Sequence, residues 1–418
     1  MAAPVLDADS SRFWESRESV VLYNPRDEAT TSAAAALRSA LDLAGTQATA
    51  TTATNSTNST NSTNSTTATN TADGGETEEG LIYFFTSGSS GHPTCAGFTR
   101  AALTLSARAV NAFLGMTADD TWLRVLPRFH VGGFGVEARA WAAGARLVTM
   151  DGRWDPRDFC RLCADQAVTR VSLVPTQVFD LVHAALTCPP SMRTVLVGGG
   201  SLRPSLQAAA TALGWPVRAS YGLTEAASTV AIQAADEPDG SRLTLLSHWT
   251  AQTDAQGRLV LHGPALPTRL GTISSLTEQP LWQPVSALHT SDRAHLEERT
   301  LTFLGRADRI VKRLGELIDL SLLDDQLADA TLATGLTGRV RLRCEEDPRD
   351  QHRLVLECLQ QAEGDAVASH FNTTQPAFAR ITAVRVVRDL QLSPLGKPLP
   401  AAPLSRPVAG LHDASPEL

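Results

Sequence analysis

Residues 169–225 read TRVSLVPTQVFDLVHAALTCPPSMRTVLVGGGSLRPSLQAAATALGWPVRASYGLTE. Three short β-type runs lie in it, TRVSLV (169–174), RTVLVG (193–198) and PVRASYG (216–222), separated by helix-length segments at 176–187 and 202–213. The runs are apolar almost throughout rather than at every second position, as expected of strands buried on both faces. This alternation predicts an α/β fold built on mainly parallel sheets covered by helices. Toward the N-terminus the pattern continues with LIYFFT (81–86), WLRVLP (122–127) and ARLVTM (145–150), and with helical segments at 99–114, 133–143 and 155–167. Beyond about residue 240 the chain turns β-rich and polar, as in GRLVLHG (257–263) and LTFLGRADRIVKRLGE (301–316). The stretch 308–418, with TGRVRLRCEE, HRLVLECLQ and ITAVRVVRDL, reads as a small α+β domain hinged near Asp308.

Composition narrows the function. The 418 residues carry 36 Lys+Arg against 44 Asp+Glu, a net charge of -8, which argues against a nucleic-acid partner. No apolar run approaches the roughly 20 residues of a membrane span, and the first residues lack the basic and apolar regions of a secretory signal. A cytoplasmic protein is expected, and a homodimer is an assembly the composition allows. Six cysteines are too sparse for a disulfide framework, and Cys160-x-x-Cys163 lies in a helical pattern that predicts buried free thiols. Residues 47–78 are mostly Thr, Ala, Asn and Ser, with four Asn-Ser-Thr triplets from Asn55. They cannot bury enough surface to offset their ordering entropy, so a disordered linker is expected between a short segment 1–46 and a globular domain 79–307.

In open parallel sheets ligands collect beyond the carboxyl ends of the strands. The first such loop is Thr86-Ser87-Gly88-Ser89-Ser90-Gly91-His92-Pro93-Thr94. Glycines admit a phosphate close to the backbone, and hydroxyl and N–H groups can donate to it. It lacks the GK[ST] ending of a Walker A loop. LPRFHVGG (126–133), Gly198-Gly199-Gly200 and Ala219-Ser220-Tyr221-Gly222-Leu223-Thr224-Glu225 follow later strands. Thr290-Ser291-Asp292, Gly305-Arg306-Ala307-Asp308 and Gly396-Lys397 come after them. Taken singly, Asp292 and Glu225 read as solvated carboxylates, Tyr221 and His130 as core, and Lys397 as surface. Order and spacing across three quarters of the chain are what distinguish the set.

That ordered set resembles the adenylate-forming acyl-CoA synthetases, whose signatures are a TSG-type phosphate loop, YGxTE, a downstream TGD, GRxDxxI and a late Gly-Lys. Within them LPRFHVGGFGVEAR (126–139), SLVPTQVFDLV (172–182) and YGLTEAAST (221–229) look most like the o-succinylbenzoate–CoA ligases of menaquinone synthesis. The resemblance implies a large adenylate-forming domain, a mobile C-terminal lid, and ATP, Mg²⁺ and coenzyme A as co-substrates of a small carboxylic acid. Ser87, Gly88, Ser89, Ser90 and Gly91, with Thr86, would hold the β- and γ-phosphates. Gly199, Gly200, Ala219, Ser220 and Gly222 would shape the adenine slot, and Tyr221 would stack on the base. Thr224 would bind the α-phosphate, Glu225 the Mg²⁺, and Asp292 the ribose hydroxyls, with Arg306 assisting. Lys397 would reach the carboxylate during adenylation, and His130 would sit where acid, phosphate and thiol meet. Gly133 would leave room for the acid, and Arg139 would take its second carboxylate, unless Arg139 only pairs with nearby Glu137.

Several positions depart from the pattern. Thr94 replaces the phosphate-loop lysine and His92 another frequent lysine; TGD reads TSD, Leu314-Gly315 stands for Gly-Gly, and Leu317 for an asparagine. Two alternatives therefore stay open at this point: a ligase for another acid, and a nucleotide-binding homologue with weakened catalysis.

Overall fold

A computed structural model of the chain describes residues 11–23, 30–35, 37, 48–51, 80–86, 94–150, 152–272, 281–283, 285–335 and 340–390. Five strands run parallel, in the order Val217–Leu223, Thr194–Val197, Arg170–Leu173, Thr121–Arg124 and Arg146–Thr149. Each coincides with one of the apolar runs, shifted by a few residues at its ends, and Arg170–Leu173 and Thr194–Val197 are buried at every position. The helices between them start on ordinary capping chemistry. Thr99 accepts from the Ala102 N–H (3.1 Å) to open Arg100–Leu114, which closes on left-handed Gly115. Asp155 accepts from the Arg157 and Asp158 N–H groups (2.9 and 3.0 Å) to open Pro156–Asp165.

The parallel expectation holds for these five strands and not for the rest of the sheet. Val217–Leu223 pairs antiparallel with Ser228–Ile232. Through that strand the sheet continues over Arg242–Leu245, Thr300–Arg306, Leu288–Glu297, Arg258–His262 and Thr250–Thr253 to eleven strands. Among the described residues no helix separates these later strands, and they return as antiparallel neighbours rather than by the crossover that parallel pairing requires. LIYFFT leaves this sheet altogether. Ile82–Thr86 pairs antiparallel with Thr94–Phe98 in a second sheet with Ser19–Leu22, Ala48–Thr51, Arg269–Thr272 and Leu281–Gln283. Residues 87–93, the expected phosphate loop, are therefore the connection of a β-hairpin and themselves lie outside the described residues.

Ala48–Thr51 falls within the segment expected to be linker, yet pairs parallel with Ser19–Leu22. Threonine is β-branched, and an edge strand needs only backbone pairing, so the absence of large apolar side chains does not forbid it. The remainder of that segment, with its Asn-Ser-Thr triplets, lies outside the described residues. Nor is the N-terminal segment peripheral: Phe13 and Trp14 belong to the main hydrophobic cluster, and Val21 and Tyr23 to a second.

After Arg306 the chain forms the hairpin Ile310–Arg313/Glu316–Asp319, two helices (Leu320–Ala333 and Gln361–Thr374) and a three-stranded sheet of Val340–Asp347, Gln351–Cys358 and Ala383–Val386. These elements enclose a cluster of their own, around Leu327, Leu354, Leu356, Val367 and Phe371. Among the described residues no helix is long and apolar enough to cross a membrane. All six cysteines are free; Cys163 is buried and Cys160 half-buried.

One buried ion triad fastens the loop after Thr121–Arg124 to the helix Val131–Ala143. Glu137, 2% exposed, pairs with Arg124 and Arg128, each at 2.9 Å. Removing the carboxylate strands two guanidinium groups in a largely desolvated place. Glu137→Ala should therefore lower unfolding free energy by about 3–5 kcal/mol, read from urea melts. A loss under about 1 kcal/mol would mean the triad is no more than a surface arrangement.

Candidate active site

The site is built around one tight return. Val217–Leu223 runs into the 3-10 turn Thr224–Ala226 and comes back as Ser228–Ile232, with Gly222 opposite Thr229. A Cβ at Gly222 would lie 1.8 Å from the Ser228 carbonyl oxygen, so glycine alone lets the two strands close. Ala227 and Ser228 complete the turn at φ 52° and 90°, strained values for residues that carry a Cβ. The sequence YGLTEAAST thus fixes what faces either side of the return.

On one side stands Tyr221. Its hydroxyl donates to Asp292 Oδ2 at 2.5 Å, and its ring lies against Phe303 with centroids 5.9 Å apart. Asp292 also accepts from Arg306 Nη1 (3.2 Å), and Arg306 grips Asp308 with Nε and Nη2 at 2.9 and 2.7 Å. The Asp292 N–H donates to the Thr290 hydroxyl at 3.1 Å, which fixes the bend of the Thr290-Ser291-Asp292 stretch. Asp292 and Arg306 are register partners on neighbouring strands, which is why residues 14 apart meet. Burial pushes the Tyr221 phenol far up, helped by the neighbouring Asp292, so it stays a donor at any working pH. Burial also raises Asp292, against the pull of Tyr221 and Arg306. Glu225, in the turn, is raised by burial and by the charge of Asp292.

Beneath this group Ala219 is buried, and the Ser220 hydroxyl donates to the Val197 carbonyl at 3.0 Å. That bond ties the strand to the exposed loop Gly198–Gly200, so the residues expected to shape an adenine slot share one edge. A carboxylate positioned by a buried phenol and a guanidinium, beside an aromatic face, is suited to paired hydroxyls and a flat base. Glu225, whose ionised form is disfavoured by burial, would be stabilised as a carboxylate by a cation. No group of three or more His, Cys, Asp or Glu suited to a metal occurs among the described residues, and a nucleotide-borne Mg²⁺ needs only one or two carboxylates besides phosphate and water.

On the other side of the return lies Arg139. It sits on Val131–Ala143, whose N-cap is His130, with the His130 ring against Phe129 at 4.6 Å. Gly133 brings this helix close to the preceding loop, since a Cβ there would lie 2.2 Å from the Pro127 carbonyl oxygen. Arg139 is only 2% exposed. Its guanidinium donates to Thr229 Oγ1 (2.8 Å), Ser172 Oγ (3.3 Å) and Ser228 Oγ (3.5 Å), and lies 5.7 Å from the Trp122 ring. Glu137 does not pair with it; that carboxylate is held by Arg124 and Arg128. No acidic side chain among the described residues neutralises Arg139, and its Nε makes no hydrogen bond. Burial draws it down to about 10, so it remains charged at neutral pH. It borders a small cavity of about 10 Å³, lined also by Val131, Phe134, Gly135, Ala138 and Ser228.

Of the expected site residues, Ala219, Ser220, Tyr221, Gly222, Thr224, Glu225, Asp292, Arg306 and Asp308 gather at one end of the strands, with Gly199 and Gly200 on the adjoining loop. His130, Gly133 and Arg139 share the neighbouring helix. Ser87, Gly88, Ser89, Ser90, Gly91 and Lys397 lie outside the described residues, as does the side chain of Thr86. The hydroxyl cradle Ser172, Ser228 and Thr229 and the ring of Phe303 carry no individual mark in the sequence. Only the quoted stretches SLVPTQ and YGLTEAAST contain the cradle.

The raised Glu225 implies a pH-dependent cost. Where a carboxyl is raised in the folded state, folding favours its protonated form, so its ionisation destabilises the fold above the ordinary carboxylate range. Glu225→Gln should raise stability at pH 7–8 by roughly 0.5–2 kcal/mol, the scale of a single stabilising change at a functional site. The gain should shrink toward zero below about pH 4, where the native residue is protonated in both states. A gain that persists unchanged at low pH would show that packing, not charge, is responsible.

Comparison with known proteins follows the same outline. Residues 12–256 match the model of the AMP-binding enzyme family. Among curated relatives, the 2-succinylbenzoate–CoA ligase of Salmonella typhimurium is 34% identical over 234 residues, 55% of this chain and 48% of that protein. The ligase of the same name from Bacillus cereus is 27% identical over 286 residues, 62% of this chain and 57% of that one. The chain thus spans about half the length of the relatives it matches. In fold it is similar to the O-succinylbenzoate coenzyme A synthetase of Bacillus subtilis in complex with ATP and magnesium ion. That similarity has a TM-score of 0.63 at 21% identity, over 76% of this chain and 68% of that one. An E. coli homologue with bound OSB-AMS gives 0.61 at 24% identity, over 76% and 68%. With more than half of its length matched by the family model, from Arg12 through the return at Tyr221–Thr229, the chain belongs to the AMP-binding enzyme family.

Proposed function

We propose that the chain is an ATP-dependent acid–thiol ligase that activates the aliphatic carboxylate of o-succinylbenzoate and transfers the acyl group to coenzyme A. The observation that carries the acid's identity is Arg139, a buried guanidinium with no anionic partner among the described residues. An unpaired buried charge is costly, and a binding site is the usual reason to keep one. o-Succinylbenzoate has two carboxylates of which one reacts, so the other needs a fixed cation that takes no part in chemistry. A guanidinium offers a planar fork to that group.

In the first step a carboxylate oxygen attacks the α-phosphorus of ATP, giving an acyl-adenylate and releasing pyrophosphate. In the second the thiol sulfur of coenzyme A attacks the acyl carbon and AMP leaves. Asp292, oriented by Tyr221 and Arg306, would hold the ribose hydroxyls. Thr224 and Glu225 would stand at the α-phosphate and its Mg²⁺. His130, at the helix that carries Arg139, would border the reacting carboxylate. Ser87–Gly91 and Lys397 keep the roles the resemblance implies: a cradle for the outer phosphates and a cation for the first step. The division near Asp308 into a nucleotide-binding part and a C-terminal lid is supported by their separate hydrophobic clusters.

Two substitutions test this. Arg139→Ala should raise KM for o-succinylbenzoate about 10- to 100-fold, with KM for ATP nearly unmoved, and Arg139→Lys should recover only part. Arg139→Met should fold at least as stably as the native chain, because it removes an uncompensated charge. An unchanged KM for the acid, or a fold lost in Arg139→Met, would assign the residue to structure instead. Lys397→Ala should slow adenylate formation about 10²- to 10³-fold while sparing thioester formation from supplied acyl-adenylate. Equal loss in both half-reactions would contradict a role confined to the first.

A further inference from the structure

The two large hydrophobic clusters meet without merging. No side chain among the described residues belongs both to the cluster around the parallel sheet and to the one around Leu354 and Phe371. Charged groups join them instead. On one side are Ser201 and Arg203 of the loop that follows Gly198–Gly200, with Ser205 in the first turn of the helix Pro204–Ala212; on the other is the helix Leu320–Ala333, with Asp325 and Asp329. Arg203 and Ser205 both bond Asp329 Oδ1, and Ser201 lies beside Asp325 and favours its ionised form. The Arg203 side chain is 9% exposed and that of Asp329 47%. Arg309, at the start of the connecting hairpin, pairs with Asp324 of the same helix at 2.7 Å. Near this junction apolar side chains stay uncovered: Phe303 and Leu304 before it, and Leu314, Leu317 and Leu322 after it. Polar seams of this kind between parts with separate cores hold one relative placement loosely.

We propose that Arg203 is a latch: its ion pair with Asp329 docks the C-terminal part of the chain against the loop of Gly199 and Gly200, in place of a shared apolar core. Because that loop borders the proposed adenine slot, nucleotide and docking then act on the same short segment; this coupling rests on the proposed function, whereas the latch does not. Surface ion pairs shift an equilibrium by a small factor, which suffices where two placements are close in energy.

The test is limited trypsinolysis of the full chain, following cleavage in the connecting hairpin at Arg309 and Lys312 and normalising for trypsin's own rate on a peptide in each buffer. Arg203→Ala and Asp329→Asn should each speed this cleavage about two- to fivefold, the double variant should add nothing, and Arg203→Lys should stay near the native rate. Salt at 0.5 M should speed cleavage of the native chain by a similar factor and leave Arg203→Ala unaffected. Circular dichroism should match the native chain in every variant; should Arg203→Ala fail to fold, Asp329→Asn, changed at a half-exposed position, gives the same reading. Native cleavage rates in both single variants, or an equal salt effect in Arg203→Ala, would overturn the latch. ATP with Mg²⁺ should slow cleavage of the native chain more than that of Arg203→Ala. Equal slowing in the two, alongside the expected variant and salt results, would overturn the coupling and leave the latch standing.

Discussion

The return between Val217–Leu223 and Ser228–Ile232 is the constraint on which the rest of the site depends. It joins the parallel and antiparallel halves of the large sheet, and it can close only because Gly222 lets a strand approach to the Ser228 carbonyl. One side of it aims Tyr221 at Asp292, and the other supplies Ser228 and Thr229 to Arg139. Two sets of groups, one suited to a nucleotide and one to an anion, are thereby held at a fixed separation without a dedicated scaffold for either.

The charges divide the same way. Glu137 is as buried as Arg139, yet two guanidiniums at 2.9 Å satisfy it, so it fastens the loop that leads to His130. Among the described residues the Arg139 guanidinium has only hydroxyl partners and a ring face, which orient it without neutralising it. Two residues on one helix thus stand in opposite electrostatic states: Glu137 is paired, and Arg139 has no carboxylate partner among the described residues.

Much of this was legible in residue order, for stated reasons. Strands buried on both faces favour long apolar runs, so TVLV announces itself, while RVSL, with buried Arg170 and Ser172, is marked by its place in the strand–helix alternation; Asp155-Pro156 announces a helix start. Thr94–Phe98 does not, because TCAGF is short and half small residues, and its pairing is decided by the hairpin it closes. The antiparallel half was recognisable as β-rich but not in its direction, since direction depends on what fills the connections. Ala48–Thr51 reads as linker from composition because an edge strand draws on backbone pairing that composition does not record. In the site, Tyr221, Asp292 and Arg306 were marked by motif, while Ser172, Ser228 and Thr229 were not, because a hydroxyl cradle has no spacing rule of its own. The choice between a pocket role and a Glu137 pair for Arg139 needed three dimensions. It turns on which guanidiniums reach Glu137 first.

The most direct test of the account is acid-dependent ATP–pyrophosphate exchange with the purified chain, comparing o-succinylbenzoate with 3-benzoylpropionate. The two acids share the reacting carboxylate and the ring and differ in the ring carboxylate assigned to Arg139. The account predicts robust exchange with o-succinylbenzoate and exchange lower by about 1.5–3 kcal/mol in kcat/KM, roughly 10- to 150-fold, with 3-benzoylpropionate, the scale of one lost charge-assisted contact. Equal exchange with both acids, or none with either, would contradict it.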